Sequence, residues 1–306
     1  MGAKKPIASL CIIFYNQEEF VKDAVEGALS QTFDDCEIVL SDDHSSDRTL
    51  EFIKDVVSNY HGNKTIIINE NDHNLGLVPH VNEVIYRISS GRYLFLTGGD
   101  DISLPNRVEE GVKYFESNPN LSMVTFSTIY INKDNEEIGR HLEETDRYIN
   151  ISDKSYLCSS SFMAGLPGQG FRRDILEEYG PMGDAQTEDS VLRFRSLLKG
   201  TILCSSVVGL KYRFHNNNIS SINRIYNLKT QKIAEQYKKD LRLQKENISQ
   251  SLYTVLERKI DFYIAYRNIS EKQNNRTQFV IWFYRLEHFF LRKCHELRVL
   301  LFLKLH

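Results

Sequence analysis

Apolar and polar positions along the first hundred residues follow two different periods. Residues 7–14 form a short, nearly unbroken apolar run rich in isoleucine, the pattern of a strand buried on both faces. Phe20, Val21, Ala24, Val25, Ala28 and Leu29 then recur at helical spacing. Residues 37–41 predict a second strand. Phe52, Ile53, Val56, Val57 and Tyr60 predict the inner face of a second helix, which Asp47 can cap. Residues 65–69 predict a third strand, Leu77, Val81, Val84, Ile85 and Ile88 a third helix, and residues 93–97 a fourth strand. Repeated strand–helix units of this length imply an α/β fold, a Rossmann-like and mainly parallel sheet with helices on both faces.

Beyond residue 120 the pattern becomes α+β. Residues 123–131 predict a strand, 133–160 read as loop-rich, and Val191, Leu192, Phe194, Leu197 and Leu198 mark a helix behind Thr187-Glu188-Asp189. Residues 207–214 predict a closing strand. From about residue 224 the pattern is long and helical. The expected organisation is therefore an α/β domain over residues 1–223 and a helical C-terminal extension over 224–306.

Charge divides at the same place. The 306-residue chain carries a net charge of −3, but residues 224–306 hold 17 basic and 8 acidic side chains, a local +9 against −12 for the rest. An acidic body disfavours nucleic acid as its ligand, and a basic tail suggests an anionic partner. The composition, 41% apolar and 26% charged, is that of a globular protein. Five scattered cysteines without a C-x-x-C pair fit a reducing cytosol better than a zinc site or a disulfide framework. The first nine residues are too polar for a signal peptide, and no uncharged apolar run reaches about 18 residues, the length of a membrane span. Neither a G-x-x-x-x-G-K-[ST] loop nor a G-x-G-x-x-G turn is present.

In parallel sheets, ligands bind beyond the carboxyl ends of the strands. Three polar clusters fall there: Tyr15-Asn16-Gln17, Asp42-Asp43-His44-Ser45-Ser46-Asp47, and Asp100-Asp101. A carboxylate pair at a strand end can hold magnesium or manganese against a phosphate, yet Gly-Gly-Asp-Asp is also ordinary turn chemistry. Glu188-Asp189 opens a helix, where either catalysis as a general base or the helix dipole accounts for acidic residues. His215 follows a strand and can meet phosphate or metal, or be structural.

Taken in order, these clusters resemble family 2 glycosyltransferases of the glycosyltransferase-A (GT-A) fold. The resemblance covers roughly residues 6–222. It rests on SLCIIFYNQEEFVKDAVEGALSQTFDDCEIVLSDDHSSDRTLEFI, on NLGLVPHVNEVI followed by GRYLFLTGGDDISLPNRVE, on TEDSVLRFRSLLKG, and on YRFHNNNISS. It implies inverting transfer of a sugar from a nucleoside diphosphate sugar, usually a UDP-sugar, to a hydroxyl of a glycan or lipid-linked acceptor. Bacterial surface-polysaccharide synthesis is the implied setting. Carried over residue by residue, Asp43 would contact the nucleotide base with Tyr15 and Asn16 nearby. Asp100 would approach the ribose or the metal, and Asp101 would coordinate Mn2+ or Mg2+. Asp189 would be the general base, with Glu188 as the alternative, and His215 would approach the diphosphate. Two positions depart from the family: Gly98 stands where many members carry the first aspartate of a D-x-D motif, and His44 replaces a common glycine. A nucleotidyltransferase, an inactive sugar-nucleotide-binding module and a scaffold acting through the tail are the competing readings.

The end of the tail is very apolar. Phe279, Ile281, Trp282, Phe283, Leu286, Phe289 and Phe290 are interleaved with Arg285, Arg292 and Lys293. Two expectations stand. One is a helix lying in the membrane interface, which would place a cytoplasmic enzyme peripherally at the inner face of the cytoplasmic membrane. The other is a helix packed on the body or on a second subunit, as in a homodimer.

Overall fold

The computed structural model describes residues 5–159, 167–215 and 230–272. The parallel strands come first: β1 (Ala8–Phe14), β2 (Cys36–Asp42), β3 (Thr65–Glu70) and β4 (Tyr93–Gly98). Helix α1 (Val21–Leu29) and helix α2 (Thr49–Ser58) make the first two crossovers. Helix α3 (Leu77–Glu83), which runs on into a π-helical turn (Val84–Ile88), makes the third. That turn closes where Ser89 donates both its amide and its hydroxyl to the Val84 carbonyl. Short β5 (Ile102–Ser103) and helix α4 (Arg107–Ser117) lead to β6 (Leu121–Ile131), β7 (Glu137–His141), β8 (Arg147–Ile149) and helix α5 (Lys154–Cys158). Then come β9 (Gly170–Arg172), α6 (Arg173–Tyr179), α7 (Glu188–Lys199), β10 (Thr201–Arg213), α8 (Thr230–Leu243) and α9 (Gln250–Lys272).

The strands form one sheet in the order β3-β2-β1-β4-β9-β6-β10-β5, with β7 beside β6 and β8 beside β10. β9 is antiparallel to both β4 and β6, so β6 and its parallel neighbour β10 run the same way as β1 to β4. All six long or central strands therefore end on one edge. Their residues point alternately to two cores, as the two-residue period of a strand requires. Leu10, Ile12, Phe14, Ile38, Leu40 and Phe95 pack against α1, α2 and α4. Cys11, Val39 and Leu94 pack on the opposite face, with α3, α6 and α7.

Two stretches differ from the sequence reading. The segment expected to be loop-rich contains β7 and β8. β7 reads Glu-Ile-Gly-Arg-His and is mostly exposed, so it lacks the apolar alternation that would betray it. β10 starts at Thr201, six residues early, because bulges between Ser205 and Leu210 break its pattern.

Helices α8 and α9 share the sheet's core. Ile233, Ala234, Tyr237 and Leu241, with Leu256 and Ile260, join the cluster that contains Leu192 and Phe194. Arg195 of α7 and Asp240 of α8 form an ion pair with neither side chain exposed, Nε to Oδ2 at 2.8 Å. The apolar residues from Phe279 onward lie outside the described residues. Among the described residues no helix is long and apolar enough to cross a membrane.

Candidate active site

At the shared edge, the turns after β1 and β2 are stitched together. The Asn16 amide donates to Ser45 Oγ (2.9 Å), and the Ser46 amide donates to Asn16 Oδ1 (2.8 Å). Asn16 and His44 both take left-handed backbone, φ 51° and 58°. Histidine thus adopts the conformation a glycine would take, which Asn and His tolerate better than most residues. Tyr15 stands 48% exposed on this turn. Asp47 accepts the amides of Thr49 (3.0 Å) and Glu18 (3.1 Å), so it caps the start of α2 and ties it to the first turn.

Asp43 is buried beneath these turns. Its Oδ1 accepts from Asn71 Nδ2 (2.8 Å) and the Leu75 amide (2.9 Å), and its Oδ2 from the Gly76 amide (2.9 Å). Three bonds on four lone-pair positions leave Oδ2 room for one further donor. Behind it, Ser41 Oγ lies 2.7 Å from His80 Nε2, and Asn69 Nδ2 donates to Ser41 Oγ (3.0 Å). Burial lowers the His80 pKa, against the pull of Asp43 and Asp42.

The end of β4 carries the second half of the edge. A side chain at Gly99 would strike the Phe14 ring, and one at Gly98 would come within 2.6 Å of Asp100 Oδ1. The two glycines thus give the aspartates their places. Asp100 Oδ2 meets His215 Nε2 at 2.9 Å, with both side chains mostly covered. Asp101 turns inward. It is 6% exposed, and its Oδ1 accepts the Arg213 amide at 2.9 Å. Burial holds its carboxyl pKa well above the usual range, with the Asp100 charge adding to the rise. Arg213, fully buried, donates to the carbonyls of Asp100 (2.8 Å) and Asn132 (3.1 Å) and to Asp23 Oδ2 (3.1 Å). The Phe20 ring lies 4.8 Å from the His215 ring. Arg213 and Phe20 escaped the sequence reading. Arg213 sits two residues before His215 in a strand, but nothing in a local pattern pairs either residue with the aspartates.

Glu188 and Asp189 open α7. Asp189 Oδ1 accepts from Thr187 Oγ1 (2.8 Å) and the Ser190 amide (2.7 Å). Burial, and then the Asp189 charge, push the Glu188 carboxyl up to about 7, while the amides at the helix start and Arg193 pull it down. The charge of Arg193 acts on both carboxylates. With the Gln169 amide turned to offer its oxygen, Arg193 Nη2 donates at 2.8 Å. The Gln169 carbonyl in turn accepts from the Leu96 amide (3.1 Å), two residues before Gly98. The structure thus joins Asp100 to His215 directly, places Tyr15, Asn16 and Asp43 on adjoining turns, and sets Arg193, whose charge acts on the acidic pair, against Gln169 beside the end of β4.

The family described as Glycosyl transferase family 2 matches residues 9–180, more than half of the chain. The chain is a family 2 glycosyltransferase. An uncharacterized glycosyltransferase of Haemophilus influenzae is 24% identical over 247 residues, 77% of this chain and 73% of that protein. The Escherichia coli protein named UDP-Glc:alpha-D-GlcNAc-diphosphoundecaprenol beta-1,3-glucosyltransferase WfaP is 28% identical over 128 residues, 42% of this chain and 48% of that protein. Among solved structures, Staphylococcus aureus TarS 1–349 in complex with UDP-GlcNAc superposes with a TM-score of 0.65 at 13% identity, covering 90% of this glycosyltransferase and 78% of TarS 1–349. The mannosyltransferase PcManGT of Pyrobaculum calidifontis, in complex with GDP-Man and Mn2+, gives 0.58 at 13% identity, covering 89% of each chain. These likenesses fix the glycosyltransferase's fold as GT-A, the curled, mostly parallel sheet flanked by helices described above.

Proposed function

We propose that this glycosyltransferase transfers a sugar, with inversion, from a UDP-sugar to a hydroxyl of a glycan or lipid-linked acceptor in bacterial surface-polysaccharide synthesis. The observation that carries the reading is the convergence, on one sheet edge, of Asp43 and the Asp100–His215 contact. The UDP-GlcNAc complex of TarS and the UDP-Glc in WfaP's name support the donor, and the diphosphoundecaprenol-linked sugar in that name supports a lipid-linked acceptor. Asp43 Oδ2 receives a donor group of the base, with Tyr15 and Asn16 alongside. His215 meets the diphosphate.

The donor set suits a divalent cation only in company with substrate. Among the described residues no three acidic, histidine or cysteine side chains cluster as ligands. Magnesium and manganese sites of this kind use one or two carboxylates and take the remaining oxygens from phosphate and water. Asp100 reaches the rim and would hold the ion, and Asp101, beneath it, would contribute its second oxygen. The cation would offset the charge that develops on the leaving diphosphate. Asp189, with Oδ1 held by two donors, offers Oδ2 to the acceptor hydroxyl. A hydroxyl attacks poorly until a base takes its proton. In-line attack opposite the leaving diphosphate inverts the anomeric centre.

A thermal-shift panel of UDP-, GDP-, dTDP- and CMP-sugars, with and without Mn2+, tests the donor assignment. A ligand at 100 times its Kd stabilises the native state by about 2.7 kcal/mol. We expect a Mn2+-dependent shift with UDP-sugars that Asp100→Ala removes. A shift with no nucleotide, or one indifferent to Asp100→Ala, rejects the site.

The basic, aromatic tail beyond residue 273 is the segment that would bring the enzyme to a lipid-linked acceptor, by lying in the inner face of the cytoplasmic membrane. In liposome flotation the full chain should float with vesicles containing anionic lipid and lose them when residues 273–306 are deleted. Recovery of the full chain in the lipid-free bottom fraction would instead point to packing on protein, including a second copy of the chain.

A further inference from the structure

Of the three donors that hold Asp43, one is a side chain. Asn71 stands one residue beyond β3, where its amide donates to the Asp42 carbonyl (3.0 Å) and carries the β2–β3 pairing past the strand end. That bond sets Asn71 beside Asp43, and its Nδ2 donates to Asp43 Oδ1 at 2.8 Å. The other two donors are backbone amides at the start of α3, Leu75 on Oδ1 and Gly76 on Oδ2, each at 2.9 Å. No side-chain substitution removes those two.

The Asn71 amide is fixed in direction. Asn69 Nδ2 donates to Asn71 Oδ1 (3.0 Å) and also to Ser41 Oγ (3.0 Å), which lies against His80. A carboxylate only accepts, so Nδ2 of Asn71 faces Asp43 and its Oδ1 faces Asn69. Both Asn71 and Asp43 are buried. An ionised carboxyl has about four lone-pair positions, two on each oxygen. Asn71 and Leu75 fill those of Oδ1, and Gly76 fills one on Oδ2. One acceptor position remains, on Oδ2.

The bases differ in what they can offer to it. Uracil carries a single donor, N3–H, between two carbonyls. Guanine carries two adjacent donors, N1–H and the N2 amino group, a pair that matches a carboxylate with both oxygens open. Cytosine presents the N3 lone pair, an acceptor, at the position where uracil has its donor. We propose that Asn71 determines nucleobase choice: by filling Oδ1 of Asp43 it leaves one acceptor, which suits the single N–H of uracil and leaves the second donor of guanine unpaired. One buried donor without a partner weakens binding by about 10–100-fold. Sites that pair polar groups in this way discriminate through the group left unpaired. The inference rests on Asp43 facing the base, as proposed above.

The test is calorimetric titration of the full chain with UDP, GDP and CDP, each with Mn2+. The wild type should bind UDP at least tenfold more tightly than GDP or CDP. Asn71→Ala frees a position on Oδ1 that guanine can use and uracil cannot. The preference for UDP over GDP should then shrink at least fivefold. Asn71→Ser, which keeps a small polar side chain in the same place, should shift it in the same direction. A merely structural role would weaken both nucleotides alike and leave their ratio unchanged. A wild type that binds GDP as tightly as UDP overturns the inference and leaves the nucleotide site standing, as does a UDP-to-GDP ratio that neither variant moves. A wild type that binds no nucleotide overturns the donor reading and the inference with it.

Discussion

Asp189→Asn is expected to lower kcat by about 10²–10⁴-fold, the range attributed to one positioned proton-transfer group. The readout is release of nucleoside diphosphate, to an added acceptor or to water, at saturating donor. The fold should be untouched, because an asparagine Oδ1 can still accept from Thr187 and the Ser190 amide. Donor affinity should not change either. Glu188→Gln is the informative companion. Burial has pushed Glu188 up to about 7, so near neutral pH it carries a proton part of the time. When it ionises, its added negative charge favours transfer of the acceptor hydroxyl's proton to the acidic pair. The wild-type kcat should therefore rise as pH climbs through about 7, and Glu188→Gln should lose that rise while keeping a rate within about tenfold of the wild type at pH 6. If Glu188→Gln abolishes turnover and Asp189→Asn does not, the two carboxylates have the opposite roles.

The second large effect belongs to the Arg195–Asp240 pair. Asp240→Ala should destabilise the protein by about 3–5 kcal/mol, because it leaves a guanidinium buried without its counter-charge. Gln236 Nε2 loses its acceptor at the same time. Natural domains are stable by about 5–15 kcal/mol, so the variant should approach unfolding at 37 °C. Replacing both partners, Arg195→Met with Asp240→Leu, should restore most of the loss. The Gly180 carbonyl would still be satisfied by the Tyr86 hydroxyl at 2.7 Å. Urea midpoints of the three variants check this. A loss under 1 kcal/mol in Asp240→Ala would mean that α8 is not seated on α7 as described.

Much of the architecture is legible in the pattern of the chain. Short apolar runs mark the strands and a period near 3.6 marks the helices up to residue 100, because the strands are covered by a layer on each face and the helices bury one. Parallel connection then requires the turns after β1, β2 and β4 to share an edge, so Tyr15, Asn16, Asp43 and Asp100 fall together from topology alone. β7 and the start of β10 stay hidden, since an exposed edge strand and a bulged strand carry no clean period.

Within the site, the residue types came from the sequence and the division of labour from the structure. Two adjacent aspartates look equivalent in a string of letters, yet Asp100 faces His215 at the rim while Asp101 lies under it, bonded to the Arg213 amide. Likewise, nothing local distinguishes an Arg195 that is sealed against Asp240 from one that is solvated on a helix face. Periodicity and turn chemistry record interactions within a few residues. The Asp100–His215 contact, the Gln169–Arg193 bridge and the seating of α8 join positions tens of residues apart or more, and they exist only once the sheet has brought its strand ends to one edge.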